Sequence, residues 1–499
     1  MIDAPAPDEQ RLHPWSWLFA LQQQIQQLLV PLVALLFFGS RRQGDEFPYA
    51  HWLTLAVIVS LVASAVLQYL TYRYRIGSDA LVIRSGILER TRREIPFARI
   101  HNVVVHQNLL HRLFGVAELR LESAAGDKPE AQMRVLKLEQ ALELERLIRQ
   151  RGSQPAASDA PAEPAPDVLL TLSLPEIVRQ GLISNRALVV IAAAIGAGYQ
   201  MLPRNALEDF IDQQGRQMTG YASQLQLDTS TLIASGVFAL LVMVVLMQLL
   251  SIGLAIVQYY GFRLSEAEKR LTVERGLLSR LRTSVARRRI QAWTLRESAL
   301  HRLFGRRQLR VDIASGGNQE KDGRALKELA PVATPEACDG LLQHLLPQLQ
   351  WPPQQWHAVS TRGWWRLCLP ALIVTGLLAA LLTYETGPWG LLPLLWLPWS
   401  AFKAHRQVTR IGYSIDARRV AVRGGWWNRW WRVAELDKLQ ALRLDRSPLD
   451  HRFGTATLTL DTAGAFGAPP LQLRFLEEQQ ARDLMQQLVK EMARRKLRW

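Results

Sequence analysis

Apolar residues in this chain follow two regimes. In one they run unbroken for roughly the width of a bilayer; in the other they alternate with polar residues, as half-buried strands do. His51–Leu70, Asn185–Leu202, Thr231–Tyr259 and Trp364–Tyr384 belong to the first regime. Each is long enough to cross the hydrocarbon of a membrane. Two further stretches are less regular. Trp15–Phe38 carries Gln22, Gln23, Gln24, Gln26 and Gln27 in its first half, so only Leu28–Phe38 is cleanly apolar, and Pro31 interrupts it. Pro388–Phe402 is short and holds Pro393 and Pro398, which predicts a kinked or internally packed helix. A tight turn at Glu385-Thr386-Gly387 precedes it. The pattern predicts six helices in three pairs.

The second regime follows each pair. Leu119 and Leu121 alternate with Arg120 and Glu122 in Ala117–Ser123, and Leu309, Val311 and Ile313 repeat the pattern. Ala80–Gly86, a basic strand Ile87–Ile95, Arg99–His106 and Gln132–Leu138 read as further strands. Over Glu139–Arg149 the period becomes helical. Each unit is therefore a small curved sheet or partly open barrel closed by one C-terminal helix. The final helix is expected over Glu477–Lys496.

The unit is repeated. Leu110-His111-Arg112-Leu113-Phe114-Gly115 returns as Leu300-His301-Arg302-Leu303-Phe304-Gly305, and a worn copy follows at Leu449-Asp450-His451-Arg452-Phe453-Gly454. In each copy a glycine precedes the Phe by 28 positions, at Gly86, Gly276 and Gly425. Such a fixed register marks a repeated module. The expected division is a helix pair over 1–70, module one over 71–151 and a Pro/Ala linker over 152–168. A second helix pair over 169–259 and module two over 260–350 follow, then a third pair over 351–403 and module three over 404–499.

Charge changes this picture by orienting it. The chain carries +16, with +5 over 71–151, +7 over 258–350 and +9 over 403–499, so the modules hold all the excess. A basic bias places such segments on the cytoplasmic side, against the anionic inner leaflet. Nucleic acid is disfavoured as a partner because no recognisable nucleic-acid module is present. The two cysteines, Cys338 and Cys368, build no disulfide framework, and no metal spacing, phosphate loop or nucleophile elbow is found. The expectation is no cofactor, no metal and no enzymatic activity.

Three groups of residues remain as candidates. Arg90, Arg92 and Arg93 in module one, and Arg280, Arg282, Arg287, Arg288 and Arg289 in module two, could bind phosphate oxygens of lipid or a partner. They could equally be charged residues that guard an edge strand. Trp426, Trp427, Trp430 and Trp431 suit an interfacial anchor. The repeated turn, with His111, Phe114, Gly115, His301, Phe304, Gly305, Phe453 and Gly454, reads first as a structural strand breaker. Its His and Arg could alternatively contact an anion.

A pair of membrane helices, then Ile83-Arg84-Ser85-Gly86-Ile87-Leu88, then Arg99-Ile100-His101-Asn102-Val103-Val104, then Leu110–Ala117, resembles the YdbT-like family of bacterial membrane proteins. The resemblance runs from Arg11-Leu12-His13-Pro14 to the last helix. It implies a pleckstrin-homology-like (PH-like) fold for each module, a curved two-sheet β-sandwich with a C-terminal helix. It also implies a multi-pass protein of the bacterial plasma membrane, and as partner a smaller one-module relative or a second copy. The third copy departs from the pattern: Gln440 replaces the His of Arg-Ile-His, and Asp450 enters the turn. The expected role is a non-enzymatic membrane scaffold for protein partners or the anionic leaflet, in envelope stress or resistance. Lipid-headgroup sensing and a transport or export component, hinted at by the glutamines of 22–27 with Gln68, Gln248 and Gln258, are the alternatives.

Overall fold

The computed structural model describes residues 10–22, 24, 50–86, 91–100, 102–122, 131–152, 166–201, 213, 216–217, 228–313, 326–347, 349–416, 418–462 and 471–494. Most of the first expected helix, the loop after it and the loop 204–229 lie outside these residues.

Module one begins before its helix. β1 (Gln10–Arg11) pairs with β2 (Arg73–Ile76), which follows α1 (Ala50–Thr71). β3 (Ala80–Ser85) and β4 (Thr91–Pro96) complete the sheet β1-β2-β3-β4. β5 (Asn102–Gln107), the short helix α2 (Leu109–Leu113), β6 (Val116–Glu122) and β7 (Ala131–Lys137) form the opposite layer, closed by α3 (Leu138–Gly152). Alternation sends Leu81, Ile83 and Ile95 from one layer and Val103, Val105, Leu119, Leu121 and Met133 from the other into one core. Ala141, Leu144 and Ile148 of α3 cover its open end.

Module two repeats the plan. β8 (Asp167–Thr171) pairs with β9 (Arg263–Ala267) across the helices α4 (Leu174–Ile183), α5 (Arg186–Met201) and α6 (Thr229–Tyr259). β10 (Arg270–Arg275) and β11 (Arg280–Ala286) follow, then β12 (Ile290–Glu297), α7 (Ala299–Leu303), β13 (Arg307–Ile313), β14 (Glu328–Ala333) and α8 (Pro335–Leu345). In module three β15 (His357–Ala358) pairs with β16 (Gly412–Ile415) across α9 (Leu369–Thr386) and α10 (Trp396–Arg410). β17 (Arg419–Gly424), β18 (Arg429–Glu435), β19 (Leu439–Asp445), α11 (Pro448–Phe453), β20 (Thr455–Thr462), β21 (Leu471–Glu477) and α12 (Glu478–Ala493) complete it.

The helices bear out the sequence expectation in part. Among the described residues two segments are long and apolar enough to cross a membrane, Ile233–Tyr259 and the run Thr361–Arg410. A third is reached if α4 and the first part of α5, bent by 56°, count as one broken span. Six separate spans are therefore not found there. The run Thr361–Arg410 doubles back on itself. Its chain turns at Gly387, φ +65°, and a Cβ on Gly390 would stand 2.2 Å from the Thr383 nitrogen, so only glycine lets the return strand of helix pack so closely. The segments Thr361–Cys368 and Gly387–Leu395 take tight 3-10 geometry, the second with Pro393 inside it, where an α-helical hydrogen bond would be lost.

The modules are joined through their sheets. β5 of module one pairs antiparallel with β11 of module two, and β12 of module two pairs with β18 of module three. Each junction fuses two half-modules into one seven-stranded sheet, β7-β6-β5-β11-β10-β9-β8 and β14-β13-β12-β18-β17-β16-β15. The register is common to both: Gln107 faces Arg280, and the equivalent Glu297 faces Arg429. The pairing covers the edge of β5, and Val103, Val104 and Val105, which alternate between its two faces, are all buried.

The second junction buries a charge. Arg432, with a fully buried side chain, points across the seam and donates to Asp312 Oδ2 at 2.5 Å. Burial pulls its pKa down, and Asp312 opposes that pull. Arg307 donates to Asp339 at 2.8 Å while stacking on Trp431 at 4.8 Å. The third short helix, α11, holds another such group. Asp450 fills a capping box with Ser447, accepts from Thr455 at 2.7 Å and receives the Arg366 guanidinium at 2.7 Å.

Two outcomes follow from these buried ions. Asp312→Ala removes the carboxylate paired with the buried Arg432 guanidinium and is expected to destabilise the protein by about 3 kcal/mol, read as a lowered Tm in detergent. Joint replacement, Asp312→Leu with Arg432→Met, recovers most of the loss. For Asp450, burial raises the carboxyl pKa, but hydrogen bonds from Ser447, Thr455 and Arg366 prevail and hold it at about 2. A depressed carboxylate stabilises the fold above its unfolded pKa of about 3.9, and that stabilisation fades as pH falls toward the folded value. Asp450→Asn should therefore lower Tm at pH 6, with the gap from the parent protein closing between about pH 4 and pH 2.

Candidate functional site

The turns after β10 and β17 lie against the ends of the apolar helices. Gly276 N–H donates to Tyr260 O and Leu277 N–H to Val257 O, both at 2.9 Å, which satisfies carbonyls that the end of α6 leaves open. Gly276 holds φ +112°, and a Cβ there would stand 1.9 Å from Ser279 O, so the glycine that recurs 28 residues before each Phe is dictated by this turn. In module three the equivalent turn carries Trp426 against Phe402 at 5.3 Å and Trp399 at 6.1 Å, with Trp427 beside it at 5.9 Å. The corresponding turn of module one, including Arg90, lies outside the described residues.

The repeated Leu-His-Arg-Leu-Phe-Gly forms α2 and α7 at this same helix-facing end. Asn108 Oδ1 caps α2 by accepting from His111 N–H at 2.8 Å, and Ser298 Oγ accepts from His301 N–H at 3.3 Å. The capping atoms also hold the rings: His111 Nδ1 lies 2.5 Å from Asn108 Oδ1 and His301 Nδ1 lies 2.7 Å from Ser298 Oγ. Both histidines are buried, and burial pushes the His301 pKa down against the pull of Glu297. A buried ring with its Nδ1 engaged packs as part of the module.

The arginine of the motif does something the sequence did not disclose. Arg112 donates to Leu277 O at 2.9 Å and Arg302 to Trp427 O at 3.2 Å, so each clasps the turn of the following module. The motif also touches its own helix pair. Trp15 and Phe19 pack on Phe114, and Trp365 packs on Phe453. Arg306, next to Gly305, pairs with Glu176 of α4 at 2.7 Å. In the third copy His451 stands where Arg302 stands in the second.

The basic candidates separate by position. Arg280 is exposed beside the helix-facing turn, and Arg92 and Arg93 are exposed on β4, the outer strand of its sheet. Arg282 sits in the first junction, 3.6 Å from Glu145 and 3.5 Å from Glu274. Arg287, Arg288 and Arg289 form the 3-10 turn beyond the far end of β11, about 20 Å from the helix-facing turn at strand rise. Arg287 pairs with Glu266 at 3.3 Å, and the Arg288 carbonyl accepts from Lys438 at 2.7 Å. Burial, with Arg288 and Arg270 close by, pulls Arg289 down to about 10. The four tryptophans also separate: Trp426 and Trp427 stay at the helix-facing turn, whereas Trp430 and Trp431 are β18 residues paired with Arg296 and Leu295.

Among the described residues no group of three or more His, Cys, Asp or Glu is placed to hold a metal. Burial pushes the Cys338 thiol up to about 12, which leaves it unreactive. Open strand edges, a basic surface and an apolar helix-facing end are what the arrangement offers to a partner.

Comparison with known proteins accords with this architecture. The bacterial PH domain family matches three times, over residues 28–152, 222–346 and 366–492. The UPF0699 transmembrane protein YdbT of Bacillus subtilis (strain 168) is 22% identical over 492 residues, covering 95% of this chain and 97% of the relative. No solved structure matches. With three matches over most of its length, a repeated two-layer module and apolar helices beside each copy, the chain belongs to the bacterial PH domain family, as a YdbT-like protein.

Proposed function

We propose that the protein is a non-enzymatic scaffold of the bacterial plasma membrane that presents three cytoplasmic PH-like modules as one rigid array. The observation that carries this reading is the pair of strand-to-strand junctions, which make three modules into a single continuous surface. Topology supports it. The strand before each helix group pairs with the strand after it, so each group returns to the side it left. The excess positive charge of the modules favours the cytoplasm for that side.

Among the described residues, β4 in module one and β19 in module three are edge strands at the two junction-equivalent positions left over. These occupy the positions that β11 and β12 fill at the junctions, so a partner would add there by strand pairing. In the common register a second copy would set Arg443 of β19 opposite Arg93 of β4, a like-charge pair that disfavours self-assembly. A PH-like module of a different chain, such as a smaller one-module membrane protein, fits β4 better. The anionic leaflet is the second partner, met by Arg280 at the helix-facing end rather than by Arg287–Arg289.

Two experiments test the reading. Single cysteines at Arg288→Cys and Arg443→Cys, in a Cys368→Ser background, should react with an impermeant maleimide only after cells are opened. Labelling of intact cells would place the modules outside and overturn the cytoplasmic assignment. Crosslinking with mass spectrometry in native membranes should link β4 to another PH-like protein. An absence of inter-protein links from any module would reject the scaffold.

A further inference from the structure

The repeated short helices leave large apolar side chains uncovered. Leu113 is 77% exposed and Leu303 76%, and Leu109, Leu110 and Leu300 are exposed on the same helices. Helical spacing sets Leu110 with Leu113, and Leu300 with Leu303, on one face, while His111 and His301 occupy the buried side. Exposed leucine is unremarkable when scattered, but an apolar group repeated at the same place marks a contact surface.

Its position says what the surface meets. Arg112 and Arg302 tie these helices to Leu277 and Trp427, in the turns that lie against the apolar helices. Leu278 and Trp427, neighbours in those turns, are also exposed, at 44% and 55%. Trp399 and Phe402 continue the aromatic group onto α10, just before the basic residues Lys403 and Arg406. That order, aromatic and then basic, is the chain's own mark of a bilayer boundary. Arg280, exposed beside the turn, adds a cation at the same level.

We propose that α2 and α7, with Leu278 and Trp427, form apolar feet that insert Leu110, Leu113, Leu300 and Leu303 into the headgroup–acyl boundary. The proposal rests on the membrane reading above and deepens it. The feet hold the modules against the leaflet between their helix groups, with the sheets standing off it. The third copy, with Arg452 where Leu303 stands in the second, lacks the second leucine of the pair, and the exposed Trp427 of the adjacent turn does that work for module three.

The full chain in liposomes, with one environment-sensitive fluorophore at Leu303→Cys or Leu113→Cys in the Cys368→Ser background, tests this. Lipids carrying a nitroxide near the headgroup should quench either label at least about twofold more than a label at Arg288→Cys. Aqueous iodide should show the opposite order. If iodide reaches position 303 as readily as 288, the feet stand in water and the proposal fails. If neither quencher reaches it, protein covers the surface and the proposal fails equally. A label at Leu241→Cys, on the exposed face of α6, separates the causes. Lipid quenching there without quenching at 303 and 113 sinks only the feet, whereas its absence sinks the membrane reading itself.

Discussion

The arrangement depends on the hydrogen-bonding edge of a β-strand. A strand at the end of a sheet carries a row of unpaired N–H and C=O groups, and proteins must cover, charge or pair them. Here the modules solve the problem with one another. β5 and β12 would each be a bare edge in an isolated module, and the hairpin strand of the next module completes them. Because that pairing is antiparallel and common in register, it fixes the angle between modules as firmly as the angle between strands within a sheet. The clasp of Arg112 and Arg302, and the buried Arg432–Asp312 pair, then act on a geometry already set.

Much of the fold was legible from period and repetition. Alternation at Leu119–Leu121 and Leu309–Ile313 gave strands where strands occur, and the recurrent glycine marked the turn whose positive φ demands it. The two-layer module with a C-terminal helix follows from those signals. The return at Gly387 was legible as a tight turn, whereas the bend after Ile183 was not, because apolar length cannot distinguish a straight helix from a bent one. Backbone packing decides that.

The junctions were partly legible in hindsight of physics alone. Val103-Val104-Val105 breaks alternation, as a strand covered on both faces does, while Leu442 and Leu444 of β19 alternate with Arg443 and Asp445 as an outer strand does. The partner strand itself carries no such mark. Arg432 reads as one more surface arginine until a second module covers it, and Trp430 and Trp431 read as anchors for the same reason. The histidines of the repeated turn read first as structural and lie buried against their caps, but the contact of the arginine after each needed the neighbouring module in place.

One feature of the modules sets a temporal order on their synthesis. β1, β8 and β15 are made before the helices that follow them, yet each must wait for a strand on the far side of those helices. A ribosome therefore releases half of every sheet edge before the membrane segment and the other half after it. No module can close until its helices have been placed and the chain has come back. Closure of the sheet thus reports that insertion went correctly, and a chain left on the wrong side would be held open, with bare strand edges for quality control to find.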